Sequence, residues 1–452
     1  MTGMTDRRPD KMRLGAFFHP TGNHVAAWLH PDSQIDAGTN FRHYVRLAQT
    51  AEAAKFDLMF LADSAAVRGG DLNALRRWPQ YMAFFDPFTL MAGIAGLTEH
   101  IGLVATATTS YNEPYTFARR LASLDIMSNG RAGWNVVTSS NKLEALNYGL
   151  SEHPDDAYRY ERAQEFSDVV KGLLDSYDDD AMIRDRESAI YFDPEKLHTL
   201  NHEGKYFKVA GPLNTIRPPQ GCPVLAQAGI SEAARNMAAR QAEIVFTPLH
   251  TIPMGQQFYQ DLKGRAAIFG RHPDSIKLMP GLNPIVGRTE AEAEEKHQYL
   301  QSLIHPDVGR ALLGNALGDV DLSSMDDNET LTPEIKAAAL ATGRSDATIV
   351  IAQMEKDNLT LRQMYQRYAG ARGQRTVKGT AVQIADEMES WFQARAVDGF
   401  LVQPAILPTG LDDFCQMVIP ELQNRGLFRT EYEGTTLREN LGLPRPASRY
   451  AQ

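Results

Sequence analysis

The sequence predicts a parallel β/α barrel of eight strands that carries two long insertions. Eight short apolar runs alternate with stretches of helical periodicity along most of the chain. The links between them are short, and parallel neighbours require a crossover connection, which is usually a helix. A chain of 452 residues lies within the range of such barrels once insertions are included. An open, doubly wound sheet with added strands is the alternative.

Several of the eight runs are apolar on both faces, as expected for strands covered by helices outside and packed side chains inside. The predicted strands are Leu14–Phe18, Phe56–Ala62, Ile101–Thr108, Ala132–Thr138, Pro223–Ala228, Glu243–Thr247, Lys277–Val286 and Phe400–Pro404.

Helices are predicted between these strands. Apolar residues at helical spacing mark Phe41–Lys55, Tyr115–Met127, Asp156–Leu174 and Thr380–Val397. The last of these begins with Thr380 and Gln383, which have the spacing of a capping box.

Two segments interrupt the alternation, at about 175–221 after strand four and about 301–378 between strands seven and eight. Long loops in compact domains are usually functional or disordered. Both segments contain apolar residues, so we expect folded insertions at the mouth of the barrel. Residues 1–452 are therefore predicted to form a single domain.

Composition excludes several classes of partner and site. The net charge is −10, and no dense cluster of Lys and Arg suggests a nucleic acid or an anionic membrane partner. Two distant cysteines, Cys222 and Cys415, do not indicate disulfides or a cysteine metal site. The N-terminal residues resemble no secretory signal, and no apolar stretch is long enough to span a bilayer. We expect a cytoplasmic protein.

Active sites of β/α barrels lie at the C-terminal ends of the strands. The side chains there are mostly hydroxyls and amides; they include His19, Asp63, Thr106, Asn135, Thr138 and Ser139. This rim has no carboxylate pair with clear acid–base spacing and no zinc-binding HExxH. It suits an amphipathic ring with carbonyl and nitrogen edges, such as a flavin.

The segment AGISEAAR is a candidate phosphate site. Gly229 permits a tight turn, and Ser231 precedes a helix whose free N–H groups can bind an anion. A helix cap without any ligand is the alternative.

Ordinary structural roles are alternatives for the other candidates as well. Asp63 can cap a helix or pair with an arginine, Tyr160 can lie on a solvated helix face, and Asn135 can be a structural hydrogen-bonding group. His19 and His24 follow strand one, where a side chain could contact a reacting group, although loop polarity explains them equally well. The scattered histidines give no predicted metal site.

Neither GxGxxG after a strand nor GxxxxGK[ST] occurs in the sequence. The chain therefore shows no recognisable nicotinamide site. If the ligand is a flavin, its electrons are expected to arrive with flavin that is already reduced.

Several long motifs carry a family resemblance. They are FDLMFLADS, the stretch from DPFTLMAGIAG to SNGRAGWNVVTS, RYERAQEF, PVLAQAGISEAAR and GTTLRENLGLPRP. With these, nearly the whole chain resembles the bacterial luciferase-like flavin monooxygenases. It is most similar to the branch of nitrilotriacetate, EDTA, dibenzothiophene-sulfone and long-chain-alkane monooxygenases.

The resemblance implies a set of flavin contacts. Asp63, Thr106, Tyr160 and Ser231 match the flavin-contacting pattern, Asn135, Thr138 and Ser139 lie in the matching strand-four block, and Gly229 belongs to the phosphate segment. Two positions depart from the pattern. Asp156 stands where relatives often have His, and Ile230 stands where they often have a small polar residue.

The activity implied is that of a two-component FMN-dependent monooxygenase. Reduced FMN would come from a separate NAD(P)H:flavin reductase, and O2 would oxygenate a small organic substrate. A closed pocket would limit wasteful formation of hydrogen peroxide. From its place after strand one, we expect His19 to be the proton donor. The family suggests a homodimer or homotetramer. The alternatives are a deazaflavin-dependent oxidoreductase of the same fold and a non-catalytic flavin-binding protein.

Overall fold

The computed structural model describes residues 8–79, 81–343 and 345–451. In these ranges the strands are β1 (Arg13–Phe17), β2 (Leu58–Leu61), β3 (Gly102–Thr108), β4 (Ala132–Val137), β5 (His202–Glu203), β6 (Lys208–Val209), β7 (Val224–Ala228), β8 (Ile244–Phe246), β9 (Lys277–Leu278), β10 (Gly281–Val286), β11 (Arg375–Gly379) and β12 (Gly399–Val402).

The helices in the same ranges are α1 (Phe41–Ala53), α2 (Leu72–Leu75), α3 (Pro87–Ala95), α4 (Pro114–Met127), α5 (Glu144–Asn147), α6 (Asp156–Leu174), α7 (Glu232–Gln241), α8 (Ile252–Ile268), α9 (Glu290–Ser302), α10 (Pro306–Ala316), α11 (Pro333–Ala341), α12 (Ser345–Asp357), α13 (Leu361–Ala371), α14 (Ala381–Gln393), α15 (Thr409–Asp413), α16 (Ile419–Asn424) and α17 (Leu437–Asn440).

Ten strands form one parallel sheet in the order β11-β10-β12-β1-β2-β3-β4-β7-β8-β9. The predicted strand Lys277–Val286 is divided at Pro280, which cannot donate to a sheet ladder. Its first half, β9, pairs with β8, and its second half, β10, pairs with β12. The Asp398 N–H also donates to the Leu278 carbonyl at 2.8 Å, so hydrogen bonds continue around the curled sheet. The predicted parallel α/β sheet is confirmed.

The four helices predicted from periodicity are present with ends that differ by a few residues. The capping box of α14 is confirmed, since Thr380 and Gln383 exchange both of its hydrogen bonds. The Asn40 side chain caps α1 by accepting from the His43 N–H. These local signals fix where the crossover helices begin.

The side chains of β4 alternate between the helices and the barrel interior. Trp134 packs against Phe117 of α4 at 4.5 Å and Phe166 of α6 at 5.8 Å between ring centroids. Asn135, the next residue, therefore points inward. The same alternation directs Thr106 of β3 into the interior, because its register partner is Asn135.

The N-terminal end of the barrel is filled by the segment around α17. Leu437, Leu441 and Leu443 pack with interior residues such as Leu58 and Val104. A Cβ on Gly102 would lie 2.5 Å from Leu437 Cδ1, so a larger residue here would displace the leucine side chain. The N-terminal end of the barrel, opposite the C-terminal ends of the strands, is thus filled by the protein's own side chains.

The two predicted insertions fold differently from one another. Residues 175–223 contain the β5–β6 hairpin. The second segment contains α10 to α13, whose apolar residues form a cluster around Leu313, Leu317 and Met364, which Val25, Ala26 and Trp78 join. This segment is rich in helices, but it also supplies β11, which pairs with β10 and was not among the predicted strands. The sequence RTVKG lacks the apolar run that marked the other strands. Among the described residues, no helix is long and apolar enough to cross a membrane.

Candidate active site

A cleft of about 1030 Å³ opens at the C-terminal ends of β2, β3, β4 and β7. Its other wall is the segment 307–323, which comprises part of α10 and the loop that follows. Five of the residues predicted from the sequence line this cleft; they are Asp63, Thr106, Thr138, Ser139 and Tyr160. The strand ends at which the sequence predicts a site therefore border a cavity.

Thr106 and Asn135 form a buried hydrogen-bonded pair below the cleft. Asn135 Nδ2 donates to Thr106 Oγ1 at 2.8 Å, and that hydroxyl donates to the Leu61 carbonyl at 2.7 Å. Asn135 Oδ1 is buried and has no hydrogen-bond partner among the described residues. Buried polar atoms are rarely left unpaired, so this oxygen is available to a ligand donor.

A buried carboxylate links the ends of β2 and β4. Glu144 of α5 is only 4% exposed and accepts hydrogen bonds from Ser139 Oγ at 2.6 Å and Ser64 Oγ at 2.9 Å. Ser139 has a φ of 59°, a left-handed conformation that is uncommon outside glycine and recurs at functional sites. The sequence analysis missed Glu144, because nothing in its local pattern separates it from a solvated helix residue.

Asp63 lies at the edge of the cleft beyond β2. Burial raises the pKa of its carboxyl to about 7, and the negative charges of Asp86 and Glu144 act in the same direction. The group can therefore change its protonation state close to neutral pH.

The beginning of α6 holds the loop after β4 in place. Arg159 donates to the carbonyl oxygens of Thr138, at 3.0 Å, and Ser139, and it also pairs with Asp156. Asp156, Arg159 and Tyr160 all line the cleft. Asp156 thus positions Arg159 at this border.

Gly229 and Ser231 are not part of the cleft wall, although Gln227 and Ala228 directly before them are. Ser231 Oγ accepts from the Ala234 N–H at 3.2 Å and caps α7. Gly229 has a φ of +132°, and a Cβ there would lie 2.7 Å from Ala234 Cβ. The residues take the geometry of a helix cap beside the cleft.

His19 occupies a small hollow with Phe18, Tyr44 and Tyr81, and Tyr81 also lines the main cleft. Its ring stacks on Phe17 at 5.0 Å. Burial and the charges of Arg372 and Arg68 lower the pKa of His19 well below its usual value, so the imidazole is neutral. His24 is similarly neutral, because burial lowers its pKa to about 3.

Two arginines flank a tryptophan at the border of the cleft, and sequence analysis did not identify them. The guanidinium carbon of Arg68 lies 5.2 Å from the Trp78 ring centroid, and that of Arg372 lies 5.5 Å from the same centroid. These residues are about 300 positions apart in the chain. Only the fold brings them together.

No group of three or more His, Cys, Asp or Glu side chains suited to a metal ion occurs in the part of the chain that the structure describes. The polar atoms of the cleft are instead hydroxyls, amides and a few charged groups. An organic ligand with hydrogen-bonding edges fits this set of atoms.

A family model for luciferase-like monooxygenases matches residues 16–398. The chain belongs to this family. N-acetyl-S-(2-succino)cysteine monooxygenase of Bacillus subtilis (strain 168) is 46% identical and covers 99% of this chain and 100% of its own length. Component A of nitrilotriacetate monooxygenase from Aminobacter aminovorans is also 46% identical, with 98% of both chains covered.

The expected branch of the family is confirmed by further similarities. A dibenzothiophene-sulfone monooxygenase of Rhodococcus erythropolis (strain XP) is 39% identical over 98% of both chains. The crystal structure of a long-chain alkane monooxygenase superposes with a TM-score of 0.84 at 33% identity, covering 96% of each chain. The protein is therefore a flavin-dependent monooxygenase.

Proposed function

We propose that this chain is the oxygenase component of a two-component system that uses FMN. It would bind reduced FMN released by a separate NAD(P)H:flavin reductase. One atom of O2 would enter a small organic substrate and the other would leave as water, while the flavin becomes oxidised. The observation that carries the proposal is the cleft at the strand ends with Asn135 Oδ1 unpaired beneath it.

The residues around this cleft fit a flavin. Asn135 Oδ1 would accept from a ring N–H, and the hydroxyls of Thr138, Ser139 and Tyr160 would contact the polar edge and side chain. The phosphate would meet the N-terminus of α7, where Gly229 allows the backbone turn and Ser231 caps the helix. When bound, reduced FMN supplies the two electrons that activate O2.

Protein side chains would control protons and water around the reaction. Asp63 can hold or release a proton near neutral pH, since its pKa is raised to about 7. Phe17 packs against Phe60 and Phe246 at 4.8 and 5.5 Å in the barrel mouth and keeps its floor apolar. His19, stacked on Phe17, is neutral and can donate its ring N–H to a reacting oxygen.

Flavin titration tests the cofactor assignment. Purified protein should bind reduced FMN, under anaerobic conditions, more tightly than oxidised FMN. Oxygen uptake is then measured with a generic flavin reductase and a panel containing nitrilotriacetate, N-acetyl-S-(2-succino)cysteine, dibenzothiophene sulfone and an alkane. Incorporation of one 18O atom from labelled O2 into one of these compounds supports the proposal.

Two results would contradict it. If every compound gave only hydrogen peroxide and no 18O-labelled product, the protein would not be an oxygenase of these classes of compound. Oxygen-independent hydride transfer with a deazaflavin would favour the alternative oxidoreductase. Light scattering of the same preparation tests the proposed homodimer or homotetramer.

A further inference from the structure

The border of the cleft contains positive charge that the proposed flavin site does not use. Arg68 lies over both Trp78 and Tyr81, with its guanidinium carbon 5.2 Å from each ring centroid. Arg372 approaches the same Trp78 ring from the end of α13. Two like charges are thus held beside one indole, where their mutual repulsion has to be offset.

Three N–H groups in this place lack an acceptor. Arg68 Nε, Arg372 Nη1 and Trp78 Nε1 are buried and have no hydrogen-bond partner among the described residues. Trp78 as a whole is only 5% exposed. An unpaired buried donor costs about 1–3 kcal/mol, so three donors together favour a ligand that brings acceptors.

The other arginines of the cleft have carboxylate partners. Arg159 pairs with Asp156, and Arg310 pairs with Asp327 at 2.7 Å. Within the side chains that the structure describes, no carboxylate forms such a pair with Arg68 or Arg372. A ligand that fits this place should therefore supply both hydrogen-bond acceptors and negative charge.

Arg372 is held in place by the backbone. It ends α13 in a left-handed conformation with a φ of 51°, and its Nε donates to the Asn23 carbonyl at 2.6 Å. Burial and the charge of Arg68 lower the pKa of Arg372 to about 9, so it still carries its proton at neutral pH. Its free Nη1 is thus a fixed, charged donor.

We propose that Arg68, Arg372 and Trp78 bind a carboxylate group of the substrate. The planar guanidinium matches the two oxygens of a carboxylate, and the indole N–H adds a third donor. Tyr81 lies next to Arg68 and also lines the hollow of His19, so a substrate held here would extend towards the apolar mouth of the barrel. The inference rests on the proposed oxygenase function.

Binding of named acids to the complex with reduced FMN tests the inference without turnover. Under anaerobic conditions, calorimetry would give the Kd of nitrilotriacetate and of N-acetyl-S-(2-succino)cysteine, and of the methyl ester of each. We expect at least one acid to bind and its ester to bind about tenfold more weakly or worse. Arg68→Gln and Arg372→Gln should each weaken the acid about tenfold or more and leave the ester unaffected.

Matched variants keep the test informative. Arg76→Gln removes the same charge from an exposed position two residues before Trp78 and should not change the Kd. Arg68→Lys and Arg372→Lys retain the charge without the planar fork and should give intermediate affinities. The inference is overturned if neither acid binds the wild-type complex, if acid and ester bind equally, or if the Gln variants bind the acid as wild type does.

The phosphate of FMN is the other anion that could occupy this place. The Kd values of reduced FMN and reduced riboflavin are therefore measured in the same variants. We expect neither to change. Weaker binding of FMN with unchanged riboflavin would assign the arginines to the cofactor phosphate and overturn the inference, while the proposed function would stand. Failure of the wild-type protein to bind reduced FMN would instead contradict the proposed function.

Discussion

Asn135 lies where the barrel interior meets the proposed flavin site. Its side-chain amide N–H donates to the Thr106 hydroxyl, and its Oδ1 has no hydrogen-bond partner among the described residues. We expect Asn135→Ala to weaken reduced FMN binding by about tenfold, because one hydrogen bond to the ring is lost. Anaerobic fluorescence titration measures this, with the exposed Asn328→Ala as control. Equal affinities of Asn135→Ala and wild type would contradict a flavin contact at this position.

Asp63 provides a second test at this scale. Its pKa is raised from 3.8 to about 7, so the folded state favours the protonated form. This contribution to stability is fully present below pH 3.8 and is lost as the pH rises through 7. Relative to wild type, Asp63→Asn should therefore gain stability between pH 5 and pH 8, by a few kcal/mol at most after discounting for partial exposure.

The measurement is urea unfolding of both proteins without flavin at the two pH values. If the free energies of unfolding of wild type and Asp63→Asn changed by the same amount between pH 5 and pH 8, the Asp63 carboxyl would not titrate in this range.

Individual residues also show the limit of sequence reasoning. Thr106, Thr138 and Ser139 were predictable as residues of the cleft border, because they lie at the ends of apolar runs and strand ends share one rim. Glu144, Arg68 and Arg372 were not, since their roles depend on contacts across loops that no local pattern specifies. The sheet determines where the first three residues lie, whereas tertiary packing determines the surroundings of the other three.

Elements beyond the strands complete the barrel. Around α17, Leu437 fills the N-terminal end against Gly102 and Gly133. We expect Leu437→Ala to lower the free energy of unfolding by about 2–5 kcal/mol through the cavity it leaves. Urea unfolding measures this, and Leu340→Ala at a half-exposed position should change it little. A small effect of Leu437→Ala would mean that the tail adds little to the core.

The same elements show where periodicity succeeds and fails. Long amphipathic helices such as α1 and α14 were predicted with nearly correct ends, because caps and apolar spacing agree. The strand β11 was missed, since its residues are half-exposed and polar. The residues on either side of Pro280 were predicted to form one strand, but they form β9 and β10. Pairing with β10, rather than intrinsic preference, makes the segment a strand.

At the scale of the whole molecule, the insertion helices α10 to α13 have an apolar cluster separate from that of the barrel. Their residues nevertheless form a wall of the cleft, and α10 contacts α2 beside it. We propose that both parts unfold as one domain. Calorimetry should then show one transition, and Leu313→Ala should move it as a whole. Two separate transitions, with only one shifted by Leu313→Ala, would contradict this.

The position of α17 also determines when the molecule can be completed during synthesis on the ribosome. The first strand, β1, needs β12 as its neighbour, and the interior needs Leu437 to Leu443, all of which are translated long after β1. A nascent chain cannot satisfy these contacts in order of emergence. Most of its apolar strands must wait, partly unpacked, until these later residues have left the ribosome, and exposed apolar strands of this kind are prone to aggregate.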